Sequence, residues 1–183
     1  EKERGVVIRT LPMNTDTCQL EIEKFPELLN EKTKLVAIGA ASNAVGTIND
    51  VKYFVDLARE AGVLTFVDAV HFAPHRLIDV KEIGCDFLAC SAYKFYGPHI
   101  GIMYGRRELL DEIDFPKLRP APDAAPERME TGTQSHESIV GARAAVDFIA
   151  SLGPGISRRE KLTNAFSLLH EHDTALTKLL YEG

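Results

Sequence analysis

Two apolar runs, at residues 63–67 and 87–90, each end on a chemically useful residue. The first ends on Asp68; the second ends on Ser91, with Lys94 three positions beyond. Short apolar runs bounded by turn signals predict buried strands, most naturally of a parallel sheet covered on both faces. Strands are therefore expected at 63–68 and 85–91, with others at 5–10 (GVVIRT), 34–40 (KLVAIGA) and 101–104. Between them, Val51, Phe54, Val55, Ala58 and Ala61 fall at helical spacing, with Asn49 or Asp50 available as a cap and Gly62 just past the end. Short helices are expected at 25–30 and near 80–83, and a longer one at 138–152. Gly153-Pro154-Gly155 breaks the chain before one long amphipathic helix at 157–181, with Leu162, Phe166, Leu169, Leu176, Leu179 and Leu180 among its apolar positions. Residues 11–22 read as a polar loop, and 116–126, with four prolines and no apolar period, as an irregular connection. Strands alternating with helices predict an α/β fold: a mainly parallel sheet flanked by helices and ending in a long helix.

The chain has 183 residues, room for one sizeable domain and a small part of another. A long helix stopping at the terminus has nothing to pack beyond it, and the first residue is not Met, so the sequence reads as a piece of a longer protein. The boundary is expected near residue 153, with 154–183 leading toward a further domain. A hydrophobic fraction of 45% and a mean hydropathy of −0.09 are those of an ordinary globular protein. A net charge of −6 excludes the basic footprint of a nucleic-acid binder. No apolar run is long enough to span a bilayer, and the charged start lacks a secretory pattern. Three cysteines give no disulfide framework, and Cys85 and Cys90, five apart, would face opposite ways on one strand. This usage points to a reducing, cytoplasmic setting.

In parallel sheets, ligands bind beyond the carboxyl ends of the strands. If the strands ending at Asp68 and Ser91 are neighbours, a carboxylate and the Lys94 amine share one rim. A pyridoxal-phosphate enzyme needs that pairing: an amine to form the Schiff base, and an acid to hold the pyridine nitrogen protonated. Plainer roles exist for both, Lys94 snorkelling to solvent and Asp68 capping the next turn. His71 and His75 are four apart, but Pro74 interrupts the helix that would present both to a metal, so no metal site is expected. His71 suits a ring that stacks on, or hydrogen-bonds to, a bound cofactor. His170 and His172, two apart on the long helix, do not face one another and read as solvated. No glycine-rich phosphate loop occurs, which counts against a nucleotide-binding protein. Thr131-Gly132-Thr133 could hold an anion near a helix start, or be a plain capped loop.

An ordered series of motifs goes further: Ser42-Asn-Ala-Val-Gly-Thr-Ile-Asn49, Val67-Asp-Ala-Val-His71, Cys85-Asp-Phe-Leu-Ala-Cys-Ser-Ala-Tyr-Lys94, Gly97-Pro98, Tyr104-Gly105 and Glu130-Thr-Gly-Thr133. Over about residues 33–152 it resembles class V aminotransferase-type enzymes, in particular the cysteine desulfurase and selenocysteine lyase group and its cysteine desulfurase-like branch. The resemblance implies pyridoxal 5′-phosphate as cofactor and a fold type I large domain, of which residues 1–153 would be the central part. It implies that Lys94 carries the cofactor and abstracts the α-proton, and that Asp68 pairs with the pyridine nitrogen. His71, where desulfurases usually have Gln, would contact the phenolic oxygen; Ser91 and Tyr93 would contact the phosphate. Thr133 would reach the phosphate of a partner subunit in a homodimer, and Asn43 would help hold a small amino-acid substrate. The reaction implied is cysteine desulfuration, with transaminase, kynureninase-like or epimerase-like chemistry, or a non-catalytic scaffold of the same fold, as alternatives.

Two departures stand out. Tyr93 occupies the position where the family has a phosphate-binding His, and the segment 97–101 is one residue short. The family's first phosphate loop, ring-stacking aromatic, carboxylate-binding Arg and persulfide-forming Cys all fall outside this chain; Cys18, Cys85 and Cys90 are wrongly placed for the last. Alone, these 183 residues are expected to be inactive and to hold the cofactor weakly or not at all.

Overall fold

Four strands make one sheet in the order β1-β2-β3-β4: β1 (Leu35–Gly39), β2 (Leu64–Asp68), β3 (Phe87–Ser91) and β4 (Gly101–Gly105). The structure is a computed structural model describing residues 4–183, so the charged residues 1–3 of the sequence lie outside it. β1, β2 and β3 run parallel, and β4 returns antiparallel along β3. The link from β3 to β4 is too short for a parallel crossover, which takes a dozen or more residues. Six helices accompany the sheet: α1 (Phe25–Leu28), α2 (Val51–Glu60), α3 (Val80–Ile83), α4 (Arg107–Glu112), α5 (His136–Ser151) and α6 (Arg158–Glu182). The expected α/β fold, mainly parallel and closed by a long helix, is the one observed.

One sheet face is packed on helices, while the other is covered only around Phe66 and Phe87, leaving Leu35 and Met103 53% and 48% exposed. Val67 and Leu88 are register partners and pack with Val51 and Val55 of α2 on one face. Phe66 and Phe87, also partners, stack at 6.5 Å on the other, where Leu110 of α4 and Ala125 join Phe87. The α2 cap is Asp50, whose carboxylate accepts from Tyr53 N at 3.2 Å; Asn49 instead ties the helix start to β1, its amide donating to Gly39 O at 2.8 Å. α6 begins with a reciprocal capping box between Ser157 and Glu160. No helix among the described residues is long and apolar enough to cross a membrane.

At the sheet end remote from Asp68, buried Asp86 staples three elements. Its carboxylate accepts from Thr65 N (2.8 Å), Thr65 Oγ1 (3.0 Å) and Arg106 Nη1 (3.1 Å). Asp86→Ala would leave the Thr65 amide and hydroxyl unpaired in the core, at a cost of about 3 kcal/mol. A fall of that size in unfolding free energy, read from the denaturant midpoint, is the expected result; a change below about 0.5 kcal/mol would show the staple to be idle.

Two expectations fail. Residues 5–10 form no strand: Val6, Val7 and Ile8 are 58%, 82% and 61% exposed, and the segment pairs with no strand among the described residues. An extended apolar run becomes a strand only when a neighbour takes its backbone hydrogen bonds. The long helix is amphipathic only in its first half. Ala165 is buried, with Leu162, Phe166 and Leu169 packed against its cluster, whereas Leu176, Leu179 and Leu180 are 52%, 69% and 83% exposed, with no element packed on them among the described residues.

Candidate active site

Adjacent parallel strands put their carboxyl ends on one side of a sheet, and β2 and β3 do so here. Asp68 is the last residue of β2 and the register partner of Ala89; Ser91 is the last of β3. The ladder continues past Asp68, since its carbonyl accepts from Ala40 N at 2.8 Å and Ala69 N donates to Ala89 O at 2.8 Å. Beyond Ser91, Ala92–Phe95 make a single 3₁₀ turn. Residues three apart eclipse in such a turn. Ala92 and Phe95 are accordingly buried together, in a cluster with Ala142, Ala145 and Ile149 of α5 and Ala165 of α6. That anchoring turns Tyr93 and Lys94 away from the core. The turn closes on Tyr96 in the left-handed region (φ 67°), followed by Gly97, where a Cβ would lie 2.8 Å from Ala92 Cβ and 2.9 Å from Ala92 O.

Neither the acid nor the amine is committed to an ion pair among the described residues. Lys94 is half-buried, its Nζ 5.3 Å from the Tyr93 ring centroid. Asp68 is exposed and does cap the following turn, its Oδ1 accepting from Val70 N at 3.0 Å, while Oδ2 has no partner among the described residues. The turn that follows returns hydrogen bonds from Phe72 N and Ala73 N to Ala69 O, and it carries His71. His71 Nδ1 is buried without a hydrogen-bond partner. A buried nitrogen left without a partner costs about 1–3 kcal/mol. Its ring lies 5.6 Å from His75, which points instead at Asp173 of α6 (3.8 Å). No group of three metal-ligating side chains occurs among the described residues.

The remaining sequence-predicted residues are placed more loosely. Ser91 is half-buried at the β3 end, with its hydroxyl unbonded among the described residues. Asn43 is exposed in the turn that follows β1, on the same side of the sheet as Asp68, with Ser42 Oγ accepting from Ala44 N and Val45 N in that turn. Thr133 is exposed in the loop before α5, and no contact ties it to Asp68 or Lys94 among the described residues. Tyr93 is 44% exposed and stacks on His99 at 4.9 Å and 15°, a contact the sequence reading missed because it depends on how residues 96–100 fold back. A groove of about 450 Å³ along α6 is lined by His75, Arg76, His170 and Asp173, not by Asp68 or Lys94. Burial raises the pKa of the Cys85 and Cys90 thiols, which makes both poor nucleophiles.

Asp68 ends β2, Lys94 follows the end of the neighbouring β3, and the sequence around them meets the pattern of one family. The sequence model of the class-V aminotransferase family matches residues 1–174, and the chain belongs to that family. Its relatives there include cysteine desulfurases. One from Pectobacterium carotovorum is 36% identical, over 82% of this chain and 40% of its own length. A probable cysteine desulfurase from Halalkalibacterium halodurans is 36% identical, over 95% of this chain and 43% of its own length. Among solved structures, a cysteine desulfurase from Escherichia coli superposes with a TM-score of 0.70 at 28% identity, covering 82% of this chain and 39% of that one. The fold is thus that of cysteine desulfurase structures, as the resemblance implied. The chain spans about 40% of the length of the curated relatives it matches.

Proposed function

We propose that the protein to which this chain belongs is a pyridoxal-phosphate-dependent cysteine desulfurase acting on a small amino acid as a homodimer. The observation that carries this reading is the shared rim: Asp68 and Lys94 follow the ends of adjacent parallel strands, and neither is spent on an ion pair among the described residues. The residues present fit the cofactor. His71 Nδ1, an Asp68 oxygen and the Ser91 hydroxyl each lack a partner among the described residues, and each is of a type that such a cofactor could engage.

In this reading Lys94 holds the cofactor through its amine, Asp68 faces the ring nitrogen, His71 the phenolic oxygen, and Ser91 and Tyr93 the phosphate. When bound, pyridoxal phosphate supplies an electron sink that acidifies the α-proton of an amino acid. Once displaced by the substrate amine, Lys94 would be free to take that proton as general base, and the negative charge of Asp68 would favour a protonated ring nitrogen. Tyr93 replaces an imidazole by a phenol, which still donates a hydrogen bond to an anion. Asn43, on the loop after β1, orients the substrate; Thr133 serves the partner subunit's site. Residues 1–153 belong to the cofactor-binding domain, and α6 leads out of it toward another. The unpaired thiols suit the reducing cytoplasm.

The test is the full-length protein, supplied with pyridoxal phosphate and cysteine. Alanine and persulfide or sulfide in equal amounts are expected. Pyruvate, a racemised substrate or amino-group transfer would move the assignment to another class V chemistry, and no cofactor captured on Lys94 would leave a scaffold.

A further inference from the structure

His99 was not singled out by the sequence; it is exposed, between Pro98 and Ile100, whose backbone groups are hydrogen-bonded. Its loop is clipped to the start of the 3₁₀ turn by two backbone hydrogen bonds, Gly97 N to Ala92 O (2.8 Å) and Ala92 N to Ile100 O (3.0 Å), and closed on itself by a third, Ile100 N to Pro98 O (2.8 Å). The backbone therefore sets where His99 stands. Tyr93 is different, since its ring is 44% exposed and its hydroxyl makes no hydrogen bond among the described residues. Its orientation must come from ring contacts. The 15° interplanar angle and 4.9 Å centroid separation from His99 are those of a stacked pair. Lys94 Nζ sits 5.3 Å from the centroid of that same Tyr93 ring, within cation–π reach. The order of dependence runs from the clipped loop to His99, from His99 to the Tyr93 ring, and from the ring to the amine.

We propose that His99 is a positioning residue for the Lys94 amine, acting by stacking on Tyr93. This rests on the reading of Lys94 as the reactive amine. The stack keeps the phenol ring in one orientation, so the ammonium group has a fixed face to rest on instead of sweeping freely through solvent. The amine is thereby parked beside the rim, from which a reacting carbonyl can draw it. The two departures from the family pattern, the residue before Lys94 and the short segment after it, meet in this contact.

Competitive acylation tests it. The full-length protein, freed of cofactor, is treated with a trace of acetic anhydride, and labelling of Lys94 is read by peptide mass spectrometry against Lys52 and Lys117. Those two are held by Asp56 and Asp123 and serve as internal references. His99→Ala is expected to raise Lys94 acylation about two- to five-fold, the size of an exposed cation–π contact. His99→Phe, which keeps a ring to stack on, stays at the wild-type rate. Tyr93→Leu gives the same rise as His99→Ala, and the double variant adds nothing further. An unchanged rate in His99→Ala overturns the proposal, and so does a rise that His99→Phe shares. Borohydride capture of cofactor on Lys94 keeps the two readings apart. Capture with unchanged acylation removes only the stack; absence of capture on the wild-type protein removes the functional reading and leaves the acylation result standing.

Discussion

Replacing Lys94 by Ala in the full-length protein is expected to abolish cofactor capture and to lower turnover of cysteine by at least about 10³-fold. Two losses combine. The amine proposed to anchor the cofactor disappears, and so does the proposed general base, a role worth about 10²–10⁴ in rate. The fold should survive, because the turn is held by Ala92 and Phe95 in the core and not by Lys94. Borohydride reduction followed by mass spectrometry should show the cofactor's mass on the wild-type peptide containing Lys94 and none on the variant. Lys52→Ala, on the exposed side of α2 where Lys52 pairs with Asp56, is the matched control and should lose neither capture nor turnover. A Lys94→Ala protein that still traps cofactor covalently would show that another amine is the anchor.

The largest effect on stability is expected at Gly153, the buried residue just past the end of α5. A Cβ there would lie 2.2 Å from Lys161 O and 2.4 Å from Ala165 N, both backbone atoms of α6 that cannot swing aside. Gly153→Ala must therefore push α6 away from α5. The opening would uncover Ala165 and Ile149, which are 0% and 3% exposed, at a cost of about 3 kcal/mol or more. The same cluster buries Ala92 and Phe95, so the turn carrying Lys94 should loosen with it. A lowered denaturant midpoint together with weakened cofactor capture is the expected pair of results. Gly101→Ala, whose Cβ would meet nothing within 4 Å, should shift the midpoint by less than about 0.5 kcal/mol. Equal midpoints for the two variants would mean that the α5–α6 hairpin tolerates what its geometry forbids.

Much of this was legible in the chain because the informative residues sit at the ends of patterns. Apolar runs that stop on Asp68 and Ser91 announce strand ends, and strand ends in a parallel sheet are where chemistry collects. Asn49 and Asp50 mark a helix start by residue type, and the structure makes Asp50 the cap. What stayed hidden depended on neighbours. The aliphatic residues 6–8 have the composition of a strand, but composition does not supply a partner. Leu176, Leu179 and Leu180 keep a helical period whether or not anything packs on them. Asp86 lies inside an apolar stretch, and nothing local says that Thr65 and Arg106 will converge on it. The orphaned nitrogen of His71 and the stack of Tyr93 on His99 follow from how two loops turn, which no periodicity encodes.

The hydrogen bonds flanking Asp68 have an evolutionary consequence. Its carbonyl is stitched to Ala40 on one side, and the next amide to Ala89 on the other, so the acid's place belongs to the woven scaffold and not to the loops above it. Mutation can shorten, lengthen or retune those loops. One pole of the chemistry then stays at anchor while substrate preference drifts around it.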